Sequence, residues 1–83
     1  MWFVYILECN NKSFYTGITN NLEKRFKAHR EGRGGSYTRA FGARRMVYTE
    51  KLKTKSSALK REIEIKQCTR SEKLSLIKKH KNK

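Results

Sequence analysis

Phe3-Val4-Tyr5-Ile6-Leu7 and Phe14-Tyr15-Thr16-Gly17-Ile18 are two short β-branched and aromatic runs separated by the polar Cys9-Asn10-Asn11-Lys12-Ser13. Two such runs around an Asn-rich break predict a β-hairpin. In the first run both alternating sets are apolar, Trp2, Val4 and Ile6 against Phe3, Tyr5 and Leu7. A strand with two apolar faces must be covered on both sides, so it is expected in the middle of its sheet. A connection of three or five residues gives cross-strand partners an even sum, which sets Tyr5 opposite Gly17 and Tyr15 opposite Leu7. The two tyrosines then share a face as diagonal neighbours, roughly 7–8 Å apart at Cα. Gly17 leaves room for something to approach the backbone at Tyr5. Strands also favour tyrosine for packing alone, and the hairpin by itself does not separate these readings.

The 83 residues suit one domain, expected to span 1–83 with a basic tail from about residue 78. A chain of this length buries only somewhat more than about 60% of its unfolded surface, enough for one small core. Lys and Arg number 21 against 7 Asp and Glu, a formal net charge of +14. That imbalance calls for a polyanionic partner, with nucleic acid ahead of an anionic membrane. Membrane binding needs an amphipathic basic helix or a lipid signal, and Leu74, Leu76 and Ile77 make too small an apolar side. Cys9 and Cys68 match no C-x-x-C spacing and are expected as free thiols in a reducing compartment. The apolar start lacks a basic leader and runs into Glu8, unlike a signal peptide or a membrane span. A soluble, cytoplasmic protein is expected.

Asn20 and Glu23 have the spacing of a capping box and predict a helix from about Asn21 to Arg30, stopped by Gly32. On that helix Leu22 and Phe26 mark the buried stripe, with His29 within about 20° of Leu22 and Arg25 about 40° beyond. Arg25 and His29 are therefore i, i+4 neighbours, expected as a cationic pair at the stripe's margin and facing a cleft. Arg25 alone also fits ordinary surface decoration in so basic a chain. The glycine-containing stretch Glu31 to Ser36 reads as a flexible basic loop, Tyr37 to Phe41 as a short helical turn ended by Gly42. Arg44 and Arg45 lead into Met46-Val47-Tyr48-Thr49, a third strand expected beside the first.

Thr54 caps a helix predicted from Lys55 to about Lys66. Taking Ala58 as zero, Leu59 sits near about 100°, Ile63 near about 140° and Ile65 near about −20°, with Glu62 in the middle of that apolar arc at about 40°. Glu64 lies on the opposite side and should be solvated. A carboxylate centred on a buried face must find a partner. It is either a structural ion pair, to Arg25 or Lys66, or a ligand for a hard divalent cation such as Mg²⁺. Thr69 and Glu72 form a second capping box and open a last helix to about His80, with Leu74 and Ile77 inward, and the basic tail Lys78 to Lys83 is expected to fray. The fold class is α/β of the α+β type: a three-stranded antiparallel sheet flanked by helices, in the order β-β-α-(short α)-β-α-α.

Phe3-Val4-Tyr5, then Tyr15-Thr16-Gly17, then R-x-x-x-H from Arg25 to His29, then A-L-x-x-E-x-x-I-K from Ala58 to Lys66 resemble the GIY-YIG nuclease domain. The resemblance runs from about Phe3 to Ile77 and is closest to small bacterial proteins made of that domain alone. It implies a metal-dependent endonuclease that cleaves phosphodiesters in nucleic acid, DNA ahead of RNA, with one Mg²⁺ or Mn²⁺ per site. It further implies that Tyr5 and Tyr15 are the two motif tyrosines, Gly17 the motif glycine, Arg25 the phosphate-binding arginine, His29 a proton-transfer residue and Glu62 the metal ligand. Two departures stand out: Phe3-Val4 replaces Gly-Ile before Tyr5, and no asparagine follows the glutamate between Gln67 and His80, where many members carry one.

In such a site Tyr5 is expected to take the proton from the attacking water, its phenol pKa lowered by surrounding cations, and His29 to relay it. Lys24, Arg39, Arg44, Arg45 and Lys66 are expected to hold the nucleic-acid backbone. The alternative is a noncatalytic basic binding module on the same fold, which the charge alone supports equally well.

Overall fold

The computed structural model describes residues 1–81. Its elements are β1 (Trp2–Cys9), β2 (Phe14–Thr19), α1 (Leu22–Arg30), α2 (Ser36–Phe41), β3 (Ala43–Leu52), α3 (Lys55–Lys66) and α4 (Arg70–Lys81). The three strands form one antiparallel sheet in the order β2-β1-β3, so the doubly apolar strand is central. The hairpin has the expected register, with Tyr5 opposite Gly17 and Leu7 opposite Tyr15. Its turn closes through the Cys9 amide, which donates to the Ser13 carbonyl at 2.8 Å, and Lys12 takes a left-handed φ of 69°.

Alternation along β1 divides the molecule. Val4 and Ile6 face a core completed by Val47, Tyr48, Ala58, Ile65 and Ile77, closed at its rim by Trp2, Phe14, Ile18, Leu52 and Leu76. Tyr5, Leu7 and Cys9 alternate with that set and are equally buried. α3 and α4 bring Ala58, Ile65 and Ile77 to the first core, while on the other side His29 of α1 meets Tyr5 and Thr38 of α2 meets His29. β3 is longer than Met46 to Thr49 because it pairs along β1 from Trp2–Leu52 to Cys9–Ala43, with register shifts beside Leu7 and Cys9. Cross-strand hydrogen bonds thus extend it through Arg44 and Arg45, which local propensity alone reads as a lead-in.

The helix caps agree in kind with the expected ones. Thr54 accepts from the Ser57 amide at 3.1 Å. Thr69 and Glu72 exchange both capping-box bonds, at 2.9 and 3.2 Å. At α1 the cap is Asn21 rather than Asn20: the Asn21 carboxamide accepts from the Lys24 amide at 3.0 Å. The Thr19 hydroxyl accepts from the Asn21 amide at 3.1 Å and so holds the backbone of the cap residue itself. α2 starts at Ser36, one residue before the expected turn, and Gly42 ends it at φ 74°.

The wheel of α3 needs correction. Ala58 and Ile65 are buried, but Leu59 and Ile63 are exposed. The inward stripe is instead widened on its other side by Arg61, which is half-buried and donates through Nε to Glu50 on β3 at 2.7 Å. Glu62 therefore stands at one margin of the buried stripe rather than at its middle. α4 differs as well. Leu74 is exposed, and the helix runs on to Lys81, so Lys78 to Lys81 of the expected frayed tail are helical. The His80 ring sits 5.2 Å from that of Tyr48 and ties this end to the sheet. Asn82 and Lys83 lie outside the described residues.

The revised face of α3 has a direct check in chemical denaturation. Ile65→Ala should cost about 2–4 kcal/mol through a core cavity. Ile63→Ala should stay within about 0.5 kcal/mol, as a surface substitution does.

Candidate active site

Tyr5 points away from the main core into a second buried cluster, where its hydroxyl meets His29 Nε2 at 2.9 Å. His29 Nδ1 in turn lies 2.7 Å from Thr38 Oγ1, and the Thr38 hydroxyl donates toward the Gly35 carbonyl at 3.4 Å. The directions follow from the end of the chain. With its proton on the Gly35 carbonyl, Thr38 accepts from His29 Nδ1–H, which leaves Nε2 bare to accept from the Tyr5 hydroxyl. Tyr5 is 2% exposed and His29 1%. A buried chain with every donor matched to an acceptor fixes both rings.

His29 is therefore not half of a cationic pair on a cleft. Burial, and then the field of Arg25, lower its pKa, so it is neutral at pH 7. Nor is the Tyr5 phenol acidified by its basic surroundings. Burial raises its pKa, Tyr15 and Glu62 add to the rise, and Arg25 only partly opposes them. Those fields also locate the charged groups: Arg25 and Glu62 both lie close enough to act on the Tyr5 phenol.

Tyr15 completes the cluster, its ring 6.4 Å from Tyr5 and 5.1 Å from His29. Gly17 is required by the tyrosines themselves. A Cβ there would sit 2.7 Å from Tyr5 Cζ and 3.2 Å from Tyr15 Cε2, so the room it leaves is already filled. Arg25 is exposed on α1 and, with Lys24, Thr19, Asn20, Asn21 and Ala28, lines an open cleft of about 310 Å³. Glu62 keeps its side chain 17% exposed, with Lys66 Nζ 3.5 Å from its carboxylate. That ion pair was one of the two fates expected of a half-buried carboxylate. Arg39 on α2 and Arg44 on β3 are exposed, and Arg45 is paired with Glu8 at 2.9 Å.

Three participants are not evident from local sequence patterns. Thr38 is buried because it orients His29 from nine residues away. Gly34 belongs to a glycine-rich stretch that reads as flexible, yet its backbone packs so closely on the His29 imidazole that any Cβ would overlap the ring. Tyr37 stacks on Tyr15 with centroids 6.0 Å apart. The spacing of glycines in E-G-R-G-G-S and the one hydroxyl residue, Thr38, between Tyr37 and Phe41 are the only local hints.

Among the described residues, no three His, Cys, Asp or Glu side chains gather as a ready-made metal cage. The donor set at the site is a single shielded carboxylate. This fits a hard ion such as Mg²⁺, which takes one or two carboxylates and fills its other positions with water and phosphate oxygens. The chemistry of the side chains thus fits that ion, with Glu62 to hold it.

Residues 1–75 match the family described as the GIY-YIG catalytic domain. The chain belongs to the GIY-YIG family. It is 53% identical over 77 residues to a UPF0213 protein of Clostridium perfringens, covering 93% of this chain and 83% of that one. A UPF0213 protein of Oceanobacillus iheyensis is 49% identical over 75 residues, covering 90% and 87%. The solution NMR structure of a UPF0213 protein from Bacillus halodurans superposes with a TM-score of 0.60 at 40% identity, covering 94% of this chain and 84% of that one. This GIY-YIG domain therefore has a nuclease-like fold, and among the described residues none of its helices is long and apolar enough to cross a membrane.

Because folding holds His29 neutral, protonating it must oppose folding. Its folded pKa is depressed, so the stability it contributes is fully present above its unfolded pKa, about 6.5, and is lost as pH falls through the folded value. Thermal melts should show the midpoint falling from pH 7.5 to pH 5, and His29→Gln should flatten that part of the decline.

Proposed function

We propose that this domain is a divalent-metal-dependent endonuclease that hydrolyses phosphodiester bonds in nucleic acid, DNA in the first instance. The observation that carries the proposal is the buried chain of hydrogen bonds that links Tyr5, His29 and Thr38. A phenol with a raised pKa is a poor base alone. The same phenol becomes competent when it gives its own proton to His29 Nε2 while its lone pairs accept one from the attacking water. Tyr5 then never carries a full charge in its buried pocket, and the proton ends on an imidazole already oriented by Thr38.

Arg25 has two parts in this scheme. It clamps the scissile phosphate from the open cleft of α1. Before substrate binds, its field opposes a proton on His29; a phosphate resting on Arg25 offsets that field and makes His29 a better acceptor when it is needed. Tyr15 orients the phosphate or water beside Tyr5, and Gly17 keeps the two rings in place. Glu62 would hold a Mg²⁺ or Mn²⁺ ion, which would supply Lewis-acid stabilisation there. Lys24, Arg39, Arg44, Arg45 and Lys66 would contact the nucleic-acid backbone. The formal net charge of +14 supports a polyanionic partner, and the free thiols Cys9 and Cys68 suit the reducing cytoplasm.

The Glu62–Lys66 ion pair favours a second reading, a noncatalytic binding module, because it occupies the carboxylate without a metal. Cleavage and binding assays, scored separately with Mg²⁺, Mn²⁺ or EDTA, divide the two. As a nuclease the protein should cut DNA only with the ion. Tyr5→Phe should lower the cleavage rate by about 10²–10⁴-fold, the range for loss of a general base. Glu62→Ala should abolish metal-dependent cleavage and keep binding. Wild-type binding without cleavage under every ion condition would establish the module instead.

A further inference from the structure

Tyr15 is the first ring of an aromatic row that leaves the site. Tyr37 stacks on it at 6.0 Å with an interplanar angle of 27°, and Phe41 follows Tyr37 at 4.9 Å. Tyr37 is 38% exposed and Phe41 44%, so two large rings on one turn of α2 stand in solvent. Neither belongs to the main core, which lies across the sheet. Arg39, between them in sequence, and Arg44, just after Gly42, are exposed and lack an acidic partner among the described residues.

The row is also held in place. α2 is fixed through the Thr38–His29 hydrogen bond, and its last carbonyl, of Phe41, accepts from the Asn10 amide of the hairpin turn at 3.3 Å. Exposed flat rings flanked by cations and fixed to a scaffold are the arrangement on which single-stranded nucleic acids stack their bases. Bases inside a duplex are covered by their neighbours and cannot use it. A second copy of this chain is a poor occupant, because each copy has a formal net charge of +14.

We infer that Tyr37 and Phe41 form a stacking platform for unpaired bases adjoining the phosphate held at Tyr5 and Arg25, so that the preferred substrate is single-stranded or carries an unpaired strand. This rests on the proposed nucleic-acid function of the site and adds the substrate class. Because Thr38 lies between the two rings, a strand stacked on α2 bears on the same helix that orients His29.

Binding in EDTA tests the platform without requiring cleavage. Single-stranded DNA and RNA oligonucleotides carrying the fluorescent base 2-aminopurine, and the matching DNA duplex, would be titrated with protein at one fixed salt concentration. The wild type should quench the single-strand probes and bind them more tightly than the duplex. Tyr37→Leu should remove most of the quench and weaken single-strand binding by about 10-fold, the loss of one stacked base. Duplex binding should stay unchanged, and Tyr37→Phe, which keeps the ring, should behave as wild type. The DNA and RNA arms show which strand is preferred, and either preference supports the platform.

Equal affinity for duplex and single strand, or equal losses on both with Tyr37→Leu, would overturn the inference even if the protein proved to be a nuclease. A ring-dependent preference without any cleavage in Mg²⁺ would uphold it while the catalytic reading failed. Concentration-dependent self-association abolished by Tyr37→Leu, with no change in oligonucleotide binding, would assign the rings to a dimer and also overturn it.

Discussion

The hydrogen bond from the Tyr5 hydroxyl to His29 Nε2 joins the central strand to the helix after the hairpin, and much of the site follows from it. An intramolecular hydrogen bond adds only about 0.5–1.5 kcal/mol, but a buried partner left unmatched costs about 1–3 kcal/mol. That asymmetry forces neighbours to cooperate. Thr38 must face His29, which sets the rotation of α2, and Gly34 must lack a side chain so that the loop can pass over the imidazole. Gly17 must do the same on the adjacent strand for the Tyr5 ring. The atoms proposed to carry a proton are the same ones that clamp the fold.

The division of β1 into two buried faces lets so small a chain hold such a chain of polar groups. Val4 and Ile6 take the hydrophobic load with α3 and α4, so the opposite face is free to bury a phenol, an imidazole and a threonine hydroxyl. Arg25 and Glu62 approach Tyr5 with opposite effects on its phenol. The burial that raises Tyr5 also lowers His29, and both shifts keep the proton on the phenol and off His29 Nε2.

Patterns of short range were readable from the residues alone. Alternation located β1 at the centre of the sheet, parity set Tyr5 opposite Gly17, and capping chemistry marked α3 and α4. The motif residues were named through the resemblance to the GIY-YIG domain, which rests on short stretches of sequence. What escaped depends on contacts between distant segments. Leu59 and Ile63 look like core on a helical wheel, but Arg61 takes the inward position because Glu50 waits on β3. Gly34 looks like flexibility until His29 lies against it. The direction of the Tyr5 and His29 pKa shifts was missed because a count of nearby cations contains no term for burial, which is the larger effect.

The central claim is that His29 is a neutral imidazole with its proton on Nδ1 and a bare Nε2 facing Tyr5. Nitrogen-15 NMR of the histidine side chains measures this directly. At pH 7 the account predicts, for His29, one pyrrole-type Nδ1 bonded to hydrogen and one pyridine-type Nε2, with titration below the ordinary histidine value. A His29 signal showing both nitrogens protonated at pH 7, or the proton on Nε2, would contradict it.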